Sequence, residues 1–400
     1  MNILVLNCGS SSVKYKLIET DTRNVKAEGG VEKIGMADSF LKFRLPSGDK
    51  RVLHLDMPEH TSAVRNILNL LTDKEYGCIS SFDEIDAVGH RVVHGGEKFN
   101  KSVLIDADVE QMIRDCYDLA PLHNPANMTG IEAIKSVLPD VPQVAVFDTA
   151  FHQTMPDKAY MYALPYELYE RYGIRRFGFH GTSHRYVASR VCEMLDVDPA
   201  KQKIITCHIG NGGSITAIDG GKSVDTSMGL TPVEGLMMGT RSGDVDPGAL
   251  TFLMDKEGLD SKGISNLVNK RSGVKGVSGV SSDMRDIDAA IRDGNDRARL
   301  ALEMYIHRIV KYIGAYAAVL NGVDIIVFTG GVGENQAMSR QAICDSLGYL
   351  GVKLDSEKNA AIHGEEAVIS LPESKVKVVV VPTDEEWMIA LDTKEIVEKL

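Results

Sequence analysis

MNILVLNCGSSSVKYKL, residues 1–17, decides how the rest of the chain is read. Ile3, Leu4, Val5 and Leu6 form a short apolar run, the pattern of a buried strand. The run stops at Asn7, a small-residue turn Gly9-Ser10-Ser11-Ser12 follows, and Val13-Lys14-Tyr15-Lys16-Leu17 resumes strand-like alternation. Such a turn offers backbone N–H groups, the Ser10 and Ser12 hydroxyls and the Lys14 ammonium at one point, which suits a phosphate. An ordinary hairpin turn is the alternative. The pattern returns at KIITCHIGNGGSITAI, residues 203–218, as apolar run, Asn211, a turn of Gly212-Gly213-Ser214 and a second alternating strand. Two such stretches about half a chain apart predict a duplicated architecture with two loops facing one ligand.

The 400-residue chain is long enough for two domains with substantial cores. Its 44% apolar and 25% charged content is that of an ordinary soluble globular protein. A formal net charge of −12 argues against a nucleic-acid partner or an anionic membrane surface. An acidic protein that handles anions must concentrate its cations locally. Six scattered cysteines without a CxxC pair fit reduced thiols, and the N-terminus has no signal-peptide pattern. The most apolar region, residues 312–328, is split by Asp324 and too short to span a bilayer, so a cytoplasmic protein is expected.

Along the chain, residues 31–55 alternate around Pro46-Ser47-Gly48 and read as further antiparallel strand. Helices are expected at 61–71 behind Thr61, and at 109–119, 126–138, 183–195, 295–320 and 384–400. Strands are expected at 85–93, 143–147, 325–328 and 376–381. The Tyr- and Pro-rich 156–176 reads as a connector, and the Gly-, Met- and Thr-rich 225–248 as a loop long enough to imply a function. Strands followed by helices, twice, predict a mixed α/β fold. The domains are expected at 1–150, completed by a terminal helix 386–400, and at 151–385.

Gly9–Ser12, Gly210–Ser214 and Gly330–Gly333 each end an apolar run, where glycine permits the close backbone approach that polyphosphate binding uses. Neither GxxxxGK[ST] nor GxGxxG occurs, so a P-loop and a dinucleotide-dependent dehydrogenase are both disfavoured. Any one of the turns reads as structural; the three together favour a nucleotide. Arg91 in GHRVVHGG and Arg241 in GTRSGDVDPG could fork onto one anion, against the alternative of surface salt bridges. His90/His94 and His180/His184 are spaced i, i+4, but no HExxH exists and zinc is disfavoured; His180 is better used as a donor to a phosphoryl group. Asn7, Asp148 and Glu385 are oxygen ligands at strand ends of the kind Mg²⁺ with nucleotide needs, although each could equally cap a helix or form a turn.

NCGSSSVKYKL (7–17), GHRVVHGG (89–96), LAPLHNPAN (119–127), FDTAFH (147–152), RRFGFHGTSH (175–184), HIGNGGS (208–214), MGLTPVEGLMMGTRSGDVDPG (228–248), FTGGVGEN (328–335) and PTDEE (382–386) together resemble the acetate kinase (acetokinase) family over essentially the full length. The resemblance implies two duplicated actin/ribonuclease-H-like domains with mixed sheets flanked by helices and an active site in the interdomain cleft. The superfamily is that of acetate and sugar kinases, heat-shock chaperone ATPases and actin. It implies ATP contacts on Lys14, on His208, Ile209, Gly210, Asn211 and Gly212, on Asp283, Met284 and Arg285, and on Gly331, Val332, Gly333, Glu334 and Asn335. Mg²⁺, with Mn²⁺ as an alternative, falls on Asn7 and Glu385. Arg91 holds the substrate, His180 and Arg241 stabilise the transferring phosphoryl group, and Asp148 is the family's acid/base residue. Val93, Leu122, Phe179 and Pro232 match the apolar pocket for the acetate methyl. The expected partners are acetate, ATP/ADP and a second copy in a homodimer. Asp384 departs from the family's usual Asn and adds negative charge beside Glu385. Because a carboxylate acceptor is already ionised at pH 7, Asp148 is expected to orient groups rather than take a proton. A propionate or butyrate kinase, or a non-catalytic chaperone-like ATPase module, are the competing readings.

Overall fold

The computed structural model describes residues 1–45 and 47–400; Pro46, in the turn expected at 46–48, lies outside the described residues. The chain divides into two compact units, Met1–Ala150 with Asp384–Leu400, and Phe151–Thr383. The terminal helix thus joins the first unit from Asp384 onward, so Asp384 and Glu385, which the sequence reading set in a second domain of residues 151–385, lie with the first unit.

The first unit is built on β1 (Asn2–Gly9), β2 (Ser12–Glu19), β3 (Asn24–Glu32), β4 (Phe40–Arg44), β5 (Lys50–His54), β6 (Ala87–Val92), β7 (Val103–Leu104) and β8 (Gln143–Phe147). Their order in the sheet is β5-β4-β3-β2-β1-β6-β8-β7. Strands β1 to β5 pair antiparallel, whereas β6 runs parallel to both β1 and β8. The continuous run Ile3-Leu4-Val5-Leu6 exists because β1 is covered on both faces. Leu4 and Leu6 pack with Val64, Ile67 and Leu68 of the helix His60–Leu71 and Ile134 of the helix Asn124–Val137. Ile3 and Val5 pack with Ile389 and Ala390 of the terminal helix Glu385–Val397. The β1 ladder does not stop at Asn7 as expected. It continues to the pair Gly9–Ser12 and leaves only Ser10 and Ser11 in the turn. A polar side chain interrupts an apolar pattern without interrupting backbone pairing, because the ladder uses only main-chain groups.

The second unit has β9 (Lys203–Ile209), β10 (Gly213–Asp219), β11 (Lys222–Thr226), β12 (Ile325–Thr329), β13 (Ala367–Val368) and β14 (Lys377–Val380), ordered β11-β10-β9-β12-β14-β13. Directions repeat those of β3-β2-β1-β6-β8: two antiparallel pairings, then two parallel ones. Each sheet even ends in a two-residue antiparallel strand, β7 on β8 and β13 on β14. The repeat seen in two hairpins is therefore a repeat of whole sheets. The helix Asp296–Val319 buries Tyr305, Ile309 and Ile313 against Ile205, Ile215 and Phe328. Residues 227–246 form no regular element, matching the long loop read from sequence, while 156–176 contains short helices at Asp157–Tyr160 and Tyr166–Tyr172. No helix of the described residues is long and apolar enough to cross a membrane. All six cysteines are free thiols.

Candidate active site

In the first unit, β1 and β2 set Asn7 directly across from Lys14. β6 lies parallel beside β1 with His90 opposite Leu6, which brings Arg91 to the level of Asn7. β8 follows, and the chain leaves it at Asp148, whose N–H donates to the Val92 carbonyl at 3.0 Å. The Arg91 fork closes on that carboxylate, with Nε to Oδ1 at 2.9 Å and Nη2 to Oδ2 at 2.6 Å. Asp148 is 1% exposed, so the pair is bidentate and largely desolvated. Burial works against the Arg91 charge, but Asp148, with Glu385 and Glu386, outweighs it and holds the guanidinium above its ordinary pKa.

Asn7, Lys14, Arg91 and Glu385 line one cavity of about 380 Å³. Glu385 Oε1 is buried there without a hydrogen-bond partner. Burial, reinforced by Asp148 and Glu386 and opposed by Arg91 and Lys14, pushes the Glu385 carboxyl up to about 7. An orphaned carboxylate oxygen in a cavity that Asn7 also lines, in a site that disfavours the carboxylate's charge, is what a cation would satisfy. The two protein oxygens suit Mg²⁺, which keeps several waters and takes phosphate oxygens; among the described residues no cluster of three His, Cys, Asp or Glu side chains could hold a metal. The i, i+4 histidines are otherwise engaged: His90 Nε2 donates to Gln143 Oε1 at 2.8 Å, and His184 bonds Thr206 and Ser214 at 2.7 Å each.

Asp384 explains itself locally. Its Oδ1 accepts from the Trp387 N–H at 3.2 Å, capping the terminal helix, and its Oδ2 pairs with Arg23 at 3.2 Å. The Asp384 charge is thus used by a helix N-terminus and a guanidinium.

In the second unit, His180 sits in the left-handed region at φ 56°, at the start of the helix Gly181–Leu195. A non-glycine residue holds that conformation only when its surroundings fix it. Here the His180 ring stacks on His208 with centroids 4.2 Å apart, and its Nδ1 meets Ser214 Oγ at 2.9 Å. Ser214 also meets buried His184, whose pKa is lowered well below its ordinary value by burial, with His152 and His208 adding. His208 is held by Ser183 at 2.8 Å. The turn between β9 and β10 runs past this stack. A Cβ on Gly212 would lie 3.3 Å from Arg241 Nη1 and 3.7 Å from His180 Nε2, so this glycine lets turn, arginine and histidine meet. Burial lowers the Arg241 pKa, and no carboxylate pairs with it among the described residues. Its one side-chain hydrogen bond among the described residues is Nη1 to Met238 Sδ at 3.9 Å. A half-buried cation without a counter-charge is poised for an anion.

A cavity of about 640 Å³ in the same unit is lined by Gly210, Asn211, Asp283, Met284, Arg285, Gly331, Val332 and Asn335 from the expected set. Its size suits a nucleotide. Ile209 is buried behind it, and Glu334 turns inward, its Oε1 accepting from the Gly330 N–H at 2.8 Å and the Thr383 N–H at 3.1 Å. Arg285 folds back onto Asp283 at 2.6 Å.

Lys14, Ser10 and Ser12 belong to the first unit and the remaining nucleotide candidates to the second. The apolar candidates divide likewise, Val93 and Leu122 in the first unit, Phe179 and Pro232 in the second. Val93 is buried and its N–H donates to Asn127 Oδ1 at 3.0 Å, while Leu122 is 64% exposed. Sequence reading missed Gly239, Val274, Ser282, Asp288, Tyr305 and Gln336 in the 640 Å³ cavity. It also missed Arg340, fully buried, whose fork donates to the Gly333 carbonyl at 3.0 Å and the Glu334 carbonyl at 2.8 Å. Arg340 lies in an unremarkable helical pattern, SRQAICD, where nothing separates it from a solvent-facing arginine.

These features define an α/β protein of two topologically repeated units, with cations and glycine turns arranged for phosphate-bearing ligands. The sequence profile of the acetokinase family matches residues 2–391, and the chain belongs to that family. It is 65% identical over 399 residues to an acetate kinase of Bacteroides thetaiotaomicron, covering 100% of both chains. The crystal structure of Porphyromonas gingivalis acetate kinase superposes with a TM-score of 0.97 at 62% identity, covering 99% of each chain. A propionate kinase from Francisella tularensis superposes at 0.92 with 43% identity, covering 98% of this chain and 99% of that one.

Proposed function

We propose that this protein is an acetate kinase that transfers the γ-phosphoryl group of ATP directly and reversibly to acetate. An acetate oxygen forms the new bond to phosphorus as the bond to the β,γ-bridging oxygen breaks, and that electron pair leaves with ADP. No proton has to move, because the acceptor is a carboxylate. The protein's task is then positioning and charge neutralisation. The observation that carries the reading is Arg241, a half-buried guanidinium with no carboxylate partner among the described residues, beside His180 and the Gly212 turn.

On this reading the 640 Å³ cavity holds the nucleotide, and the 210–212 and 331–335 segments approach its phosphates. Arg91 receives the acetate carboxylate, and Asp148, with both oxygens engaged by Arg91, sets the direction of the fork. His180, kept in place by Ser214 and His208, donates to the phosphoryl oxygens together with Arg241. Val93, Leu122, Phe179 and Pro232 are the proposed contacts of the acetate methyl group. Asn7 and Glu385 would hold Mg²⁺, which when bound supplies positive charge to phosphate oxygens. We extend the proposal to a cytoplasmic homodimer on the family resemblance alone, testable by sedimentation.

A propionate kinase is the second reading, favoured by the 43%-identical relative of that name. One methylene in an apolar pocket discriminates by only ~1–3 kcal/mol, so activity on propionate is expected alongside acetate. The relatives at 62–65% identity named acetate kinase weigh for acetate.

The test is acyl phosphate formation trapped as hydroxamate with Mg·ATP and acetate, propionate or butyrate at equal concentration, for wild type and Arg241→Ala. Product from acetate, with a loss on the order of 10²–10³ in the variant, supports the proposal. Product only from the longer acids reassigns the substrate. No product from any acid refutes transfer to a carboxylate and leaves a nucleotide-binding module.

A further inference from the structure

The cavity containing Asn7 and Arg91 does not end at these residues. It continues across β2, β4 and β5 along a trough whose lining also includes Lys16, Lys42, Arg44 and Lys50. Register explains why these cations share one face. Lys14 is opposite Gly30 and Gly30 opposite Lys42, which in turn faces Val52; Lys16 is opposite Glu28, and Arg44 is opposite Lys50. The alternate residues Tyr15, Leu41 and Phe43 are buried in the core on the other face. The terminal helix packs on β1, β6 and β8, and beyond it Lys42, Arg44 and Lys50 are exposed.

Gly30 stands between Lys14 and Lys42 in the register and adds no side chain: a Cβ there would lie 3.1 Å from the Val13 carbonyl oxygen and 3.7 Å from both Lys14 Cγ and Lys42 Cε. Against these cations stand Glu28, Glu385 and Glu386 in the lining, and Glu32, which pairs with Lys42. Lys16 pairs with Glu386 at 3.3 Å, Lys42 with Glu32 at 2.8 Å and Arg44 with Glu28 at 2.7 Å. Lys14 and Lys50 form no ion pair among the described residues. Surface pairs of this kind are weak and open to competition by a denser anion. In a chain of net charge −12, such a local excess of cations is a departure from the whole.

We propose that this trough is a binding site for a linear polyphosphate. Rows along a strand recur every ~7 Å and neighbouring strands stand ~4.8 Å apart, a grid that several closely spaced phosphates can engage together. A compact chain brings three or more negative charges into about 380 Å³, which an acidic peptide with one carboxylate per residue does not. The polyphosphate could be free inorganic chain or the tail of a nucleotide. The site stands independently of the transfer reading; that an occupied trough competes with acetate at Arg91 rests on it.

The experiment titrates inorganic tripolyphosphate calorimetrically into the full chain with saturating ADP, for wild type, Lys42→Gln/Lys50→Gln and Lys42→Arg/Lys50→Arg. Stoichiometric binding in wild type, weakened about tenfold in the Gln pair and kept in the Arg pair, supports the site, with acetate-dependent turnover unchanged in both variants. Equal affinity in all three proteins, or no binding, overturns it. The same titrations with ATP, taken as the difference between wild type and the Gln pair, decide the source. A larger difference for ATP names a nucleotide tail, and a larger one for tripolyphosphate names the free chain. Loss of turnover with any of the acids in wild type would refute the transfer reading while leaving the binding result intact.

Discussion

Asp148→Asn separates two roles that a carboxylate at this position could play. The side chain keeps its volume and one acceptor, so Arg91 Nε can still reach Oδ1, 2.9 Å away in the wild type. At the other position, where Nη2 now donates to Oδ2 at 2.6 Å, the amide places N–H against N–H. One charge-assisted hydrogen bond, worth about 1.5–3 kcal/mol, is replaced by repulsion, and the guanidinium loses its counter-charge. Removing one partner from a buried pair costs about 3–5 kcal/mol, and the Arg91 side chain keeps 24% exposure, so the lower end of about 3 kcal/mol applies to stability. With the fork no longer held, kcat/KM for acetate should fall by about 10²–10³. The assay is hydroxamate formation across an acetate series between pH 6 and 9, alongside urea unfolding. An orienting carboxylate predicts a loss of similar size at every pH. Near wild-type turnover in a destabilised variant would refute the orienting role. Disappearance of one limb of the pH profile would show instead that Asp148 handles a proton.

Three further outcomes follow from the same geometry. Arg340→Lys replaces a fork that reaches the Gly333, Glu334, Asn359 and Ile362 carbonyls with a single ammonium, so ADP affinity should fall about tenfold by calorimetry while KM for acetate holds. Gly89→Ala would put a Cβ 2.5 Å from Thr393 Oγ1 and 2.6 Å from Ile389 Cγ2, forcing the terminal helix off the sheet at a cost of about 1–3 kcal/mol in urea unfolding. His90 is buried and its pKa is lowered by that burial from 6.5 to about 4, partly offset by its bond to Gln143. A depressed folded pKa means that the unfolded chain binds the proton first, so the contribution is complete above pH 6.5 and is lost as pH falls toward 4. About 3 kcal/mol is at stake, and the difference in urea midpoint between pH 7 and pH 4.5 should shrink in His90→Gln.

What could be read in advance follows a physical line. Strands covered on both faces announce themselves as apolar runs, and Ile3–Leu6 and Ile325–Phe328 were both visible for that reason. The glycine turns were visible by composition, and the strict requirement falls on Gly330, left-handed at φ 76° with the Ile209 backbone 2.9 Å from a would-be Cβ, whereas a Cβ on Gly331 would meet nothing within 4 Å. Arg91 and Arg241 stood out by their glycine-rich surroundings. Helix starts were less legible, since the first helix begins at His60 behind Glu59, whose N–H donates to Ser62 Oγ in the first turn, and not behind Thr61: polar residues in a row are all plausible caps until the backbone chooses. Arg340, Gly239 and Gln336 were invisible because their role arises from distant segments meeting, which leaves no local pattern. Arg340 in particular serves carbonyls 6 and 7 residues before it and 19 and 22 residues after it.

The repeated topology makes the chemical divergence of the two units measurable. The hairpin of the first unit closes with two residues, Ser10 and Ser11, and that of the second with three, Gly210-Asn211-Gly212. Strand β6 ends in Arg91 and Val92, while its counterpart β12 ends in Thr329 and opens at once into the helix Gly330–Asn335. Strand β8 is followed by Asp148, a carboxylate spent on an arginine; β14 is followed by Thr383, a hydroxyl spent on Ser183 and a backbone N–H given to Glu334. One scaffold therefore exposes two different sets of groups at the same strand ends, charged side chains in the first unit and backbone turns in the second. A carboxylate acceptor needs a fork, and a polyphosphate donor needs close backbone approach. That contrast at the strand ends is what the proposed division of labour rests on, and Arg91→Ala, which should raise KM for acetate and leave ADP affinity unchanged by calorimetry, tests it.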